Sequence, residues 1–348
     1  MNNKYIEYNK ILEQLKIDKK KIFNFTKKGK LIICLTEFRI QPEIEYVMAA
    51  ILKMYEPDEI GIAIMYGNKN KKYIEELFKN WNNMIFIHKN YDNINRTIYS
   101  QLLKQPEFYE IFINWSHVLI YQTDALILRK IDDIYFEYDY IGAPWTETNQ
   151  CSKYNAGNGG FSLRNIKSCI RVCNRFRGLQ VRNIHAGNED IYFCNQDTFK
   201  YPLINTKMHK MFSIERVPIN NPIGVHQIYH CYNMNKVMWN NFLKYMDNSL
   251  LKNIKPTIDI NKILDDSLKE IELRELEDKK KKEKLDKIFK EQNLNIIQEK
   301  LDFNNEIGPF TTKLIHKAKN CWKISCKNNY EILFCKNTNP ESFVKSHK

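Results

Sequence analysis

The chain has 348 residues, 43% of them apolar, with 20 Tyr and 19 Phe, which excludes a disordered polypeptide and can close the core of one large domain or two ordinary ones. Its formal net charge of +13 is spread thinly, without Arg/Lys clusters interleaved with aromatics, so nucleic acid is not an expected partner. The basicity reads either as compositional bias in a Lys-, Asn- and Ile-rich chain or as attraction to a polyanion or a diphosphate-bearing substrate.

Residues 5–29 are polar with apolar residues at helical spacing and predict a leading helix and loop, a lead-in over 1–30. Leu31 to Leu35 predicts a buried first strand, and Pro42 opens a helix reaching about Tyr55. Ile60 to Met65 reads as a second strand, Lys71 to Asn80 as a helix and Met84 to Ile87 as a third strand. Helical stretches follow from Asn93 to Lys104 and from Pro106 to Ile113. Val118 to Tyr121 and Ala125 to Leu128 read as the fourth and fifth strands. This alternation predicts the α/β class, a mainly parallel sheet with helices on both faces and ligands at the carboxyl ends of its strands. Seven of the 11 glycines fall between Gly142 and Gly224, marking loops shaped around a ligand or simply a loop-rich half.

A helix over Tyr232 to Tyr245 closes this domain, whose expected bounds are 31–247. Pro256 lies in a linker, and residues 262–300 form a charged helix with Leu264, Leu268, Ile271 and Leu276 along one side. Linker and helix take up 248–306, and self-association through 262–300 is an expectation. Residues 307–348, with Trp322, read as a small tail or subdomain. The nine cysteines include the pairs Cys169/Cys173 and Cys321/Cys326, which make no four-ligand zinc pattern, so buried free thiols are expected. No run of about 18 apolar residues occurs and Met1 to Lys4 holds no apolar signal core; no membrane span and a cytoplasmic site of action are the expectations.

Four segments carry residues suited to chemistry. Asp124 interrupts the apolar run Val118 to Leu128; such a carboxylate either caps a turn or binds a cation, and its oxygens suit Mg²⁺ or Mn²⁺ shared with phosphates. Asn155-Ala156-Gly157-Asn158-Gly159-Gly160-Phe161-Ser162-Leu163-Arg164 places bare backbone before a short strand, either a tight turn or a surface for a sugar; it lacks the Gly-Lys-Ser/Thr ending of a phosphate-binding loop. Glu189 and Asp190 open a helix, as favourable partners of its dipole or as a general base. His226, after Gly224-Val225, is either a structural His or a nitrogen ligand to a metal.

Together, and in this order, these segments resemble a glycosyltransferase-like family known only as a domain of unknown function. The resemblance runs from about Leu31 to about Trp239. It rests most on Tyr140-Ile141-Gly142-Ala143-Pro144-Trp145 and Gly157 to Arg164, supported by Leu35 to Arg39, Tyr121 to Asp124, Glu189 to Phe193 and Gly224 to His226. The family looks like the GT-A type of nucleotide-sugar transferase, which implies a Rossmann-like sheet, a divalent metal (Mn²⁺ before Mg²⁺), a nucleotide-diphosphate-sugar donor and a glycan or protein acceptor. Asp124 matches the metal-binding last Asp of the GT-A Asp-x-Asp motif; its first position is Gln122, a departure that adds no charge. His226 matches the late His that completes the metal site in many members. Glu189-Asp190 matches the acidic pair of inverting enzymes, with Asp190 as base and Glu189 orienting the acceptor or sharing the role. The resemblance puts Glu37, Arg39 and Gln122 near the nucleotide and Gly159 and Gly160 against the donor. Arg164 is a phosphate contact or a surface ion pair, and Trp145 a sugar-stacking or core residue. Two alternatives stand: a retaining transferase in which Asp190 is not a base, and an inactive glycan- or polyanion-binding protein on the same fold.

Overall fold

The computed structural model describes residues 3–146, 154–175, 187–203, 206–255, 257–307, 313–318, 321–325 and 331–335; Pro256 and Cys326 lie outside them. The chain divides into two compact units, Met1–Glu272 and Leu273–Lys348. In the first, the elements follow in the order α1 (Asn3–Leu12), β1 (Phe23–Asn24), β2 (Gly29–Thr36), α2 (Glu43–Met54), β3 (Gly61–Tyr66), α3 (Lys71–Leu77), β4 (Trp81–Asn82), β5 (Ile85–His88), α4 (Arg96–Leu103), α5 (Pro106–Glu110) and β6 (Trp115–Tyr121). Then come β7 (Ala125–Ile127), β8 (Tyr140–Ala143), β9 (Asn158–Asn165), α6 (Ile166–Arg175), α7 (Glu189–Phe193), α8 (Lys207–Phe212), β10 (Ser213–Ile214), β11 (Gly224–His226), α9 (Lys236–Leu250) and the start of α10 (Ile260–Ile307). The second unit holds the rest of α10 and an antiparallel sheet of β12 (Lys313–Ala318), β13 (Cys321–Ser325) and β14 (Glu331–Cys335).

The main sheet has six strands in the order β5-β3-β2-β6-β9-β8. The pairs β5-β3, β3-β2 and β2-β6 are parallel, while β6-β9 and β9-β8 are antiparallel, so the sheet is mixed. Side chains alternate across a strand, and both faces here are covered, so the central strands are apolar throughout. Leu31, Ile33 and Leu35 of β2 face a cluster with Ile44, Val47 and Ile51 of α2. Ile32 and Cys34 face a second cluster with Leu103 of α4, Phe108 of α5 and Val172 of α6. The expected α/β class with helices on both faces is what the structure has.

The expected fifth strand is not in this sheet. β7 pairs antiparallel with β11, which pairs parallel with β10, in a separate three-stranded sheet. The physical reason is that β2 and β9 take both edges of β6, so no hairpin partner position is left, and the link 122–124 is far shorter than the roughly a dozen residues or more that a parallel crossover needs.

The leading segment is part of the first unit's core rather than a separate lead-in. Tyr8 and Leu12 of α1 are buried in the first cluster, Lys4 Nζ donates to the carbonyls of Cys231 and Met234 at 3.0 Å, and Trp239 Nε1 donates to Glu7. At the other end, Ile263 and Ser267 of α10 are buried, and Ser267 Oγ accepts from Met208 N at 3.1 Å. Leu268 and Leu276, two of the four residues expected along one side of the charged helix, are exposed. Cys34, Cys169, Cys173, Cys194 and Cys231 are buried thiols outside any disulfide, as expected for them. No helix among the described residues is long and apolar enough to cross a membrane.

Leu12 is 1% exposed, so Leu12→Ala should cost about 2–5 kcal/mol in urea unfolding of the intact chain. An unchanged midpoint would mean that α1 is a detached arm.

Candidate active site

The short link after β6 builds one wall. β7 lies against β11 in the register Ala125 to His226, and Gln227 N donates to Asp124 O at 2.9 Å. Gln227 takes a left-handed backbone (φ 47°), which lets its Nε2 also donate to Asp124 Oδ2 at 2.8 Å. Asp124 Oδ1 then stands 3.4 Å from His226 Nε2, itself 3.3 Å from Gln122 Oε1. Behind the ring, His226 Nδ1 lies 3.7 Å from Glu215 Oε1. Asp124 Oδ1, His226 Nδ1 and Glu215 Oε2 are buried without a hydrogen-bond partner, which is uncommon in a native interior.

Burial pushes the Asp124 carboxyl up, but His226 and Gln227 outweigh it and hold it below the usual carboxylate range. Burial pulls His226 down, and the charge of Asp124 raises it above the ordinary imidazole value. Glu215 is raised, by burial first.

The second wall comes from β9 and α7. The antiparallel pairing of Tyr121 with Phe161 extends through Gln122 N, which donates to Gly160 O at 3.1 Å, and this sets Gly159 and Gly160 beside Gln122. A Cβ on Gly160 would overlap the His226 ring, and one on Gly159 would overlap the Glu189 carboxylate. Both glycines are thus required by close approach, Gly160 to His226 and Gly159 to the buried Glu189.

Glu189 and Asp190 begin α7 and diverge in role. Glu189 is buried, with Oε1 3.3 Å from Arg164 Nη2 and Oε2 accepting from Ser100 Oγ at 3.0 Å. Arg164 is fully buried between the rings of Tyr140 and Phe193; its Nε donates to Ser162 Oγ and its Nη1 to Tyr109 Oη, each at 3.0 Å. Asp190 faces the cavity, and its carboxyl is raised to about 6, by burial first and then by the adjacent Glu189 charge.

The walls enclose a cavity of about 360 Å³, lined among others by Gln122, Gly159, Gly160, Asp190, Glu215 and His226. Arg96, Tyr99 and Gln122 also line an adjoining chamber of about 490 Å³, together with Glu37, Arg39 and Asp124. Glu37 is buried and its acceptor capacity is used: it takes both arms of Arg39 at 2.8 Å, Gln41 Nε2 at 2.6 Å, Thr123 Oγ1 at 3.0 Å and the backbone N–H of Phe38 and Arg39. It therefore positions Arg39, whose half-exposed guanidinium lines the chamber.

Residues 82–226 match a family described as a protein of unknown function (DUF5672). No curated protein matches. Among solved structures, the chain is similar to the glycosyltransferase GlyE of Streptococcus pneumoniae TIGR4, at 12% identity and a TM-score of 0.39, over 66% of this chain and 65% of that one. The apo form of GlyE matches with the same identity and TM-score. The chain thus spans a little under two thirds of the length of the solved protein it matches.

Asp124, His226, Gln122, Gly159, Gly160, Glu189 and Asp190 meet in one place although the sequence scatters them over more than a hundred positions. Arg164 does not line the cavity; neither of its two sequence readings holds as made, because its ion pair with Glu189 is buried in the interior and not at the surface. Trp145 is largely buried in the second core cluster and lends an edge to the cavity. Sequence reasoning missed Arg96, Tyr99, Glu215 and Arg216, all of which line the site, and Asn70, whose amide ties Glu37 O at 2.8 Å and Gly67 N at 3.0 Å. The adjacent charges Glu215-Arg216, straight after Met211-Phe212-Ser213-Ile214, were the available signal.

No three His, Cys, Asp or Glu side chains among the described residues are grouped as a complete metal site. Asp124 and His226 nevertheless fit a divalent ion that takes its other donors from substrate and water. Their donor atoms are 3.4 Å apart, close to the about 3 Å between neighbouring ligands of an octahedral ion with bonds of about 2.1 Å, and Asp124 Oδ1 is free to bind.

Arg164→Ala would strand the buried Glu189 charge and should cost about 3–5 kcal/mol in chemical denaturation. Arg164→Met with Glu189→Leu should recover much of that loss. A loss near zero for Arg164→Ala would return Arg164 to a ligand-binding role.

Proposed function

We propose that the protein is a glycosyltransferase that moves a sugar from a nucleotide-diphosphate sugar to a hydroxyl acceptor with inversion, using Asp190 as general base. One arrangement carries the reading: a raised carboxyl, Asp190, and His226 line one cavity, which shares Arg96, Tyr99 and Gln122 with a chamber lined by Arg39 and by Asp124, the His226 neighbour. The resemblance in the motifs Gly157 to Arg164 and Tyr140 to Trp145 points the same way.

In this reading the nucleotide occupies the chamber, where Arg39, pinned by Glu37, and Arg96, at the start of α4, hold the diphosphate. The sugar occupies the cavity between the two walls. Asp190 takes the acceptor's hydroxyl proton while the acceptor oxygen bonds to the anomeric carbon from the opposite side. The bond from that carbon to the diphosphate oxygen breaks, and its electron pair leaves with the nucleoside diphosphate. A divalent ion held by Asp124 and His226 would supply positive charge to the departing diphosphate. Glu215, 3.7 Å from His226 Nδ1, sets a carboxylate behind the imidazole, on the side away from Asp124. Glu189 holds the start of α7 against β9 and thereby aims Asp190.

The test is release of nucleotide from a panel of nucleotide-sugars with Mn²⁺ and with chelator. One donor should turn over in a metal-dependent way, and Asp124→Ala should abolish it. Asp190→Asn should lower turnover about 10²–10⁴-fold while leaving donor binding intact. Silence across the panel with no donor bound would favour an inactive glycan-binding protein, a reading helped by the neutral Gln122 at the position of a second acid. A product of retained anomeric configuration would remove Asp190 from the base role.

Asp190 works as a base only when ionised, and its carboxyl sits at about 6. The rate should therefore be level above that pH and fall about tenfold per unit below it, as a pH profile of kcat/KM would read.

A further inference from the structure

The two arginines that line the chamber come from strands that are not neighbours. Arg39 follows β2, and Arg96 starts α4 after β5. β3 lies between those strands, which sets their ends about 10 Å apart at about 4.8 Å per strand. Among the described residues no hydrogen bond joins residues 36–41 directly to residues 88–96.

The gap is bridged by residues 67–70, which lead from β3 to α3. Asn70 is 0% exposed, and both N–H groups of its amide are used. Its Nδ2 donates to Glu37 O at 2.8 Å and to Arg39 O at 3.2 Å, while its Oδ1 accepts from Gly67 N at 3.0 Å. The Glu37 carboxylate thus holds the guanidinium of Arg39, and Asn70 holds the backbone that carries both residues. On the other side, Asn68 N donates to Tyr91 O at 2.8 Å, and Asn68 Nδ2 donates to Asn90 Oδ1 at 3.0 Å and Asp92 Oδ1 at 3.3 Å. The loop is wedged between the two segments, because a Cβ on Gly67 would overlap both Tyr91 O and the Phe38 ring. Residues 93–96 follow Asp92 directly and line the chamber.

Taking the chamber as the diphosphate site, as in the function proposed above, we propose that Asn70 and Asn68 are positioning residues. The loop they hold sets the separation of Arg39 from Arg96 and so the fit of the chamber to a diphosphate. Neither Asn lines the chamber, so each acts through the arginine on its own side.

The experiment is calorimetric titration of the full chain with uridine, cytidine, adenosine and guanosine diphosphates in the presence of Mn²⁺, followed by double-mutant cycles on the one bound most tightly. Arg39→Ala and Arg96→Ala should each weaken it by about tenfold or more. Asn70→Asp keeps the side-chain shape but turns an oxygen towards two carbonyl oxygens. It should weaken binding about tenfold in the wild type and less than about twofold in Arg39→Ala. Asn68 is exposed, and Asn68→Ala should weaken binding about threefold in the wild type and less than about twofold in Arg96→Ala. Should Asn70→Asp not fold, the Asn68→Ala cycle decides. A loss from either Asn variant that persists undiminished without its arginine would make that Asn a structural residue only and overturn the proposal. Unchanged affinity in both Asn variants, with the arginine losses intact, would overturn positioning and leave the diphosphate site standing. No diphosphate bound by the wild type, or no loss in the arginine variants, would remove the chamber as the diphosphate site and this inference with it.

Discussion

A guanidinium buried away from water is tolerated only where its charge is paired and its N–H groups are met. Arg164 meets these conditions by drawing on almost every part of the candidate site: Ser162 and Gly159 O on its own strand, Tyr109 on α5, the rings of Tyr140 on β8 and Phe193 on α7, and the carboxylate of Glu189. The pair fixes where α7 starts against β9. Asp190 follows Glu189 directly, so the same pair fixes the position of the raised Asp190 carboxyl that faces the cavity. Gly159 belongs to this constraint, because a side chain there would displace Glu189.

The opposite wall depends on a shorter-range constraint. With β2 and β9 on both edges of β6 and only residues 122–124 before β7, the chain leaves the main sheet, and β7 finds its partner in β11. That antiparallel pairing brings Asp124 to His226, about a hundred positions away, and both into a layer where their polar atoms are buried. The change from parallel to antiparallel pairing at β6-β9 does the rest, since it sets the glycines of β9 against the end of β6. The two walls are thus joined through Gln122, whose backbone bonds to Gly160 and whose side chain meets His226.

Much of the fold was legible because it follows local rules. β2, β3 and β6 are apolar runs with helices between them, and period-two alternation sends Leu31, Ile33 and Leu35 to one cluster and Ile32 and Cys34 to the other. Asp124 stood out as the lone charge in the run Val118 to Leu128, and Glu189-Asp190 stood out as paired acids at a helix start. The fate of α1 was less legible, because its polar sequence conceals the burial of Tyr8 and Leu12 against the end of the domain.

The sequence by itself determined the α/β class, the order of elements and the residue types able to do chemistry, since apolar periodicity and isolated charges are properties of short windows. Tertiary structure alone decided the division of labour between adjacent acids: Glu189 bound to Arg164 and Asp190 facing the cavity, a difference set by burial that one turn of helix cannot predict. It also decided that Arg164 is interior, that Glu37 spends its oxygens on Arg39, Gln41 and Thr123, and that Glu215 and Arg96 join the site. These outcomes depend on pairings between positions far apart in the chain, which no local pattern encodes.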